Sequence, residues 1–180
     1  MISNSITIFR ALLILPFFGL LAFEGPGWFP LTLFLLIGGL DIADGKVARH
    51  LGESSALGAV LDLMADRLLT LASVSGLLVV GHLPMVAIVS AIILVGRDLT
   101  YATLENLLPP GNVFSPSRLE TPKIVFAFAG LGLAIAPQFA LGIGGLDSQA
   151  MATTCLLIAA VLSLLTIASY FRQTQSRHAK

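Results

Sequence analysis

Residues 39–67 read GLDIADGKVARHLGESSALGAVLDLMADR, and four of the ten acidic residues of the chain, Asp41, Asp44, Asp62 and Asp66, fall within this stretch. On both sides the sequence is apolar: WFPLTLFLLIGGL precedes Asp41 and LLTLASVSGLLVV follows Arg67. Carboxylates in such runs are costly and mark a functional site when the runs cross a bilayer. Helical spacing puts positions 41, 44 and 48 on one face and positions 58, 62 and 66 on another. With one helix ending near residue 50 and the next beginning near 57, Asp41 and Asp66 lie at equal depth, roughly 13 Å in at about 1.5 Å per residue. Asp44 and Asp62 come one turn shallower. A helical hairpin therefore brings four carboxylates face to face at one level.

The rest of the chain extends this pattern. Of its 180 residues, 56% are hydrophobic and only 11% charged, where a soluble domain carries about a quarter charged. Apolar runs alternate with short polar breaks, which predicts an all-α polytopic membrane protein of six transmembrane helices at about 6–23, 28–50, 57–80, 83–106, 122–141 and 150–172. The breaks hold turn residues: Gly25-Pro26-Gly27, Gly81 to Pro84, Pro109 to Asn112, and Gly142 to Ser148. The run at 11–23 lacks a small-residue cleavage site after it and reads as the first span rather than a leader. Lys46, Arg49, Arg118, Lys123, Arg172, Arg177 and Lys180 fall on the side of the termini, while the opposite breaks near 25, 82 and 145 hold no Lys or Arg. Both termini are therefore expected in the cytoplasm. Residues 1–180 read as a single domain. The balanced charge argues against nucleic acid, and Cys155, the sole cysteine, excludes an intrachain disulfide.

Four unpaired carboxylates at such depth would repel one another and partly protonate, and bound divalent cations relieve this. An all-oxygen ligand set suits Mg²⁺ or Mn²⁺, and two such ions can clamp a diphosphate. Gly45, Ala48 and Gly58 leave room for a ligand to approach the backbone; close helix packing through small residues is the alternative. For the carboxylates, the alternative is an ion-pair network with Lys46, Arg49 and Arg67.

As a pattern the stretch is Asp41-x2-Asp44-Gly45-x2-Ala48-Arg49-x8-Gly58-x3-Asp62-x3-Asp66. It resembles the signature of the CDP-alcohol phosphotransferases at every fixed position and in both spacers, and the six-helix plan is similar to that family over nearly the whole chain. The resemblance implies that Asp41, Asp44, Asp62 and Asp66 hold a two-metal site, with Asp66 also the general base on the acceptor hydroxyl. It implies that Gly45, Ala48, Arg49, Ser55 and Gly58 line a CDP pocket. It further implies CDP-diacylglycerol as donor, an alcohol as acceptor, CMP as leaving group, and a homodimer among membrane lipids in a bacterial inner membrane, with the site facing the cytoplasm.

Three further segments resemble the branch that makes phosphatidylglycerophosphate and cardiolipin. NSITIFRALL carries Asn4, Ile6, Thr7 and Arg10; GRDL carries Gly96, Arg97 and Asp98; SRLET spans Ser117 to Thr121. Arg97 lies near the depth of the carboxylates, and with Arg118 it is expected to bind an acceptor phosphate. The alternative for Arg97 is a local pair with Asp98 or with the acidic cluster. For Arg10 the simpler reading is a side chain that snorkels to the headgroups. The sequence departs from the glycerophosphate enzymes at Glu120, where they usually carry Lys, and at Ile124, where they carry Gln. Glycerol 3-phosphate is the leading acceptor and phosphatidylglycerol the second. His178 reads as part of a mobile polar tail.

Two other classes compete. An ion or proton transporter would continue its polar residues through the bilayer, yet the runs beyond Asp41 and Asp66 are apolar. A non-catalytic scaffold would be expected to lose carboxylates, and all four are intact.

Overall fold

The computed structural model describes residues 2–51, 56–107, 119–137 and 147–178. Among them are six helices and no strand: α1 (Ile2–Glu24), α2 (Trp28–Leu51), α3 (Ala56–Val80), α4 (Met85–Leu107), α5 (Glu120–Ile135) and α6 (Ser148–His178). The expected helix order is present. Two C-terminal ends differ for local reasons. Helix α5 ends at Ile135 rather than near 141, because Ala136 precedes Pro137 and is extended, with ψ 147°. Helix α6 continues past 172 through His178, where the sequence reading had placed a mobile tail. Residues 149–178 contain no Gly or Pro to stop the helix.

Helix ends follow the turn chemistry of the sequence. Gly81 closes α3 with φ +70°, a conformation suited to glycine. Its N–H donates to Leu78 O at 3.1 Å, and the next N–H, of His82, donates to Leu77 O at 3.2 Å. That pair of bonds satisfies the last carbonyls of α3 in the Schellman pattern. Gly25, at φ +78°, closes α1 with a bond from its N–H to Leu21 O. Pro30 and Pro122 sit in the first turns of α2 and α5, where no intrahelical N–H is required.

The bundle is built as two triples. Helix α1 packs on α2 and α3, and α6 packs on α4 and α5, while contacts between the triples through α2, α3, α4 and α5 are sparser. Three connections meet at one end of the bundle: Gly27 N–H donates to Ile135 O at 2.9 Å, and the Gln149 side chain donates to His82 O at 2.5 Å. The seam between the triples is stitched by aromatic rings. Phe34 of α2 stacks on Phe128 of α5 at 4.5 Å between centroids and lies 6.0 Å from Phe17 of α1. Gly38 permits this, because a Cβ there would lie 2.5 Å from the Phe128 ring.

Three buried hydroxyls are satisfied within their own helices. Ser73, Ser90 and Thr166 each donate to the carbonyl four residues earlier, at 2.7–2.8 Å, as polar groups on apolar helices must. The outer faces carry large apolar side chains such as Leu15, Phe29, Val79, Met85 and Ile92, all exposed. Among the described residues, Thr7–Glu24 and Ser148–Tyr170 are each long and apolar enough to cross a bilayer.

Candidate active site

At the end of the bundle opposite the three gathered turns, the seam opens into a cavity of about 950 Å³. Every helix contributes: Arg10 from α1, Asp41 from α2, Asp66 and Arg67 from α3, Arg97 and Asp98 from α4, Glu120 and Lys123 from α5, and Tyr170 from α6. The deeper walls are apolar, with Phe34, Leu94, Phe128 and Leu131. An apolar chamber with convergent polar groups at one end is the usual form of a small-molecule site.

One wall is acidic. Asp41 lies about ten residues before the end of α2 and Asp66 about ten residues after the start of α3, so the equal depth read from the hairpin is realised. Both aspartates contact one guanidinium. Arg10 Nη1 donates to Asp41 Oδ1, and Arg10 Nη2 lies 3.2 Å from Asp66 Oδ1. Arg10 is only 1% exposed. The headgroup-snorkelling reading of Arg10 is therefore wrong. Its planar fork points inward to two carboxylates, and a fork can serve both at once.

The opposite wall is a mixed-charge network. Arg97 Nη1 donates to Asp98 Oδ1 at 2.9 Å, and Arg97 Nη2 donates to Glu120 Oε1. Lys123 Nζ reaches Glu120 Oε2 at 3.1 Å and Asp98 Oδ1 at 3.5 Å. The Tyr170 hydroxyl donates to Glu120 Oε1 at 2.9 Å, and the Arg97 guanidinium lies 5.9 Å from the Tyr170 ring centroid. Arg97 and Lys123 are each 6% exposed. The local pair of Arg97 with Asp98, the alternative to an acceptor-binding role, is thus present, together with a partner from α5.

Of the site residues expected from sequence, the structure brings Asp41, Asp66 and Arg97 to one cavity. Asp44, Gly45, Ala48 and Arg49 lie on α2 and Gly58 and Asp62 on α3, with Asp44 and Asp62 one turn nearer the same end. Ser55 and Arg118 fall outside the described residues. Lys123, counted in the sequence only among the charges on the side of the termini, is buried in the first turn of α5. A lysine next to the apolar run IVFAFAGLGLAI was the signal that could have found it. Tyr170 had no such signal.

The donor set on the acidic wall is carboxylate oxygen from α2 and α3, which suits a hard divalent cation. Among the described side chains no group of three acidic, His or Cys residues gathers to hold a metal; Asp41 and Asp66 share the single positive charge of Arg10, which leaves the trio with one net negative charge.

Comparison with known proteins agrees with the geometry. A protein of Pseudomonas fluorescens named CDP-diacylglycerol–glycerol-3-phosphate 3-phosphatidyltransferase is 33% identical over 108 residues, covering 58% of this chain and 54% of that protein. A Streptomyces coelicolor protein named cardiolipin synthase (CMP-forming) is 30% identical over 128 residues, covering 68% and 57%. The Haemophilus influenzae protein with the first of these names is 29% identical over 177 residues, covering 93% and 89%. The chain thus spans about half the length of the first two relatives and nearly all of the third. The profile of one family matches residues 1–166, which takes in the acidic hairpin and every charged residue named on the two walls, Tyr170 lying just beyond it, and the chain belongs to that family, the CDP-alcohol phosphatidyltransferases.

Proposed function

We propose that this chain transfers a phosphatidyl group from CDP-diacylglycerol to an alcohol and releases CMP. The observation that carries the reading is the cavity itself, with the motif aspartates on one wall and buried cations on the other. Glycerol 3-phosphate is the leading acceptor, supported by the opening segment and by the names of two relatives. Phosphatidylglycerol is the second, supported by the Arg97-Asp98 pair and by the relative named cardiolipin synthase. The same proposal includes six membrane spans, both termini and the site on the cytoplasmic face of a bacterial inner membrane, and a homodimer. The exposed apolar outer faces and the absence of Lys and Arg from the breaks near 25, 82 and 145 support the orientation.

In this reading Asp41, Asp44, Asp62 and Asp66 hold Mg²⁺ or Mn²⁺. Metal bound there supplies charge neutralisation for the diphosphate and its leaving oxygen. Gly45, Ala48, Arg49, Ser55 and Gly58 receive the CDP moiety. Asp66 accepts the proton of the acceptor hydroxyl. The acceptor oxygen bonds to the phosphatidyl phosphorus, and the bond from that phosphorus to the CMP oxygen breaks. Asp66 is a weak base, so positioning across the cavity carries much of the rate. Arg10 steers the Asp66 carboxylate, Arg97 orients the acceptor from the far side, and Arg118 is assigned to the same acceptor phosphate. The apolar deep wall excludes water that would otherwise compete as the acceptor.

The test is CMP release from CDP-diacylglycerol by the full chain in detergent, with Mg²⁺ or Mn²⁺ and with glycerol 3-phosphate, phosphatidylglycerol, inositol 1-phosphate, inositol or serine offered separately. Release with one acceptor, abolished by EDTA and restored by metal, is expected. Release that is indifferent to chelation would overturn the metal assignment, and no release with any acceptor would overturn the transferase reading.

A further inference from the structure

The network on the second wall has the form of an anion site filled by the protein's own side chain. Three donors from three helices converge on the Glu120 carboxylate: Arg97 Nη2 from α4, Lys123 Nζ from α5 and the Tyr170 hydroxyl from α6. Among the described residues the cluster is neutral, because Arg97 and Lys123 are balanced by Asp98 and Glu120. Yet the cations line the cavity, and the Glu120 side chain is itself 22% exposed on its wall. A phosphate arriving at Arg97 and Lys123 must therefore compete with a carboxylate already in place. It must also remain beside that carboxylate once bound.

We propose that Glu120 is a specificity-determining residue of the acceptor site, occupying the donors of Arg97, Lys123 and Tyr170 and so disfavouring a doubly charged phosphomonoester relative to a singly charged phosphodiester. This rests on the assignment of Arg97 to the acceptor. The physical reason is that repulsion from one fixed carboxylate doubles when the incoming phosphate carries two charges instead of one. The second phosphate ionisation lies near pH 6, so a monoester is a dianion at pH 8 while a diester keeps one charge. The selectivity lies in charge, since Asp98 remains to hold Arg97 when Glu120 is neutral.

The experiment uses the full chain in detergent and two readouts. The first is binding of inorganic phosphate at pH 8, followed by ³¹P NMR, to wild type, Glu120→Gln, Glu120→Asp and Glu120→Ala. Glu120→Gln and Glu120→Ala are expected to bind phosphate about tenfold tighter than wild type, the scale of one charge-assisted hydrogen bond no longer contested. Glu120→Asp keeps the charge and is expected to stay near wild type. The alanine variant also covers a failure of the glutamine variant to fold, because truncation on a cavity wall leaves no buried void. The second readout is CMP release: the preference for glycerol 3-phosphate over phosphatidylglycerol, as a ratio of kcat/KM, should rise about tenfold in Glu120→Gln, with KM for CDP-diacylglycerol unchanged. Phosphate binding that is unchanged or weaker in both neutral variants would overturn the proposal and make Glu120 a residue that positions Arg97 and Lys123. Tighter phosphate binding with no CMP release from wild type would sustain the competition at this site while removing the transferase reading.

Discussion

Replacing Arg10 by Met separates the charge of the acidic wall from its packing, because Met fills much of the volume of the stem without the guanidinium. The loss can be bounded from exposure. Removing one partner of a fully buried ion pair costs about 3–5 kcal/mol, and an exposed pair contributes about 0–1 kcal/mol. Here the cation is buried, but the side chains of Asp41 and Asp66 are 36% and 57% exposed to the cavity. Water entering the cavity screens the stranded carboxylates, which places the expected loss at about 2 kcal/mol. For a chain of this size that is a fall in Tm of about 4–8 °C. The assay is thermal unfolding in detergent, first with EDTA and then with Mg²⁺ or Mn²⁺. A cation bound to the same carboxylates stabilises only the folded form, and without Arg10 it meets no competitor. Metal should therefore raise the Tm of Arg10→Met by more than that of wild type and close at least half of the gap. An unchanged Tm in EDTA would refute the role of Arg10 in holding α1 against α2 and α3. A gap that metal leaves untouched would refute the placement of the metal at Asp41 and Asp66.

Other substitutions address single steps. Asp66→Asn should reduce turnover by about 10²–10⁴-fold, the usual contribution of a general base, while equilibrium binding of CDP-diacylglycerol changes little; retained turnover would remove Asp66 from that role. Arg97→Ala should raise KM for a phosphorylated acceptor at least tenfold, about the worth of a charge-assisted hydrogen bond, and leave KM for CDP-diacylglycerol near wild type, so an equal effect on both would assign Arg97 to the donor side. Gly130→Ala places a Cβ 2.9 Å from the Leu156 side chain and 3.1 Å from its backbone nitrogen. The contact between α5 and α6 must then open, at a cost of about 1–3 kcal/mol read by thermal unfolding; wild-type stability would show that the two helices separate more easily than their packing implies.

Depth along each helix was legible in the sequence, and direction around each helix was not. Asp41, Asp66 and Arg97 were expected at one level because residue counts from the turns measure height, and the cavity holds all three. Which neighbour each side chain faces depends on how six helices rotate and cross. The same count that put Arg10 near the headgroups could not reveal that its fork closes on Asp41 and Asp66. Lys123 was counted only among the charges on the side of the termini, at the start of a helix expected from 122; α5 begins at Glu120, and the lysine turns inward to the cavity. Tyr170 stands 50 residues from its partner Glu120, and no local pattern couples the two. Glu120 itself was visible only as a departure from a related motif; its meaning came with the three donors around it.

The two charged clusters divide along the same line as the packing. Arg10, Asp41 and Asp66 tie together α1, α2 and α3; Arg97, Asp98, Glu120, Lys123 and Tyr170 tie together α4, α5 and α6. Each triple therefore carries its own polar clamp, while the sparser contacts between triples include the Phe34–Phe128 stack. A cavity at such a seam is bounded by two walls that are stiff independently of each other. That arrangement suits a reaction in which two substrates must be held apart until aligned. In the proposed reaction the donor diphosphate would meet the wall of aspartates and the acceptor the wall of cations, so neither wall would have to rearrange its own clamp to admit the other substrate. It also places the strongest electrostatic features of the chain where helix packing is weakest, so that opening of the seam between α2 and α5 can admit a lipid headgroup without breaking either ion-pair cluster.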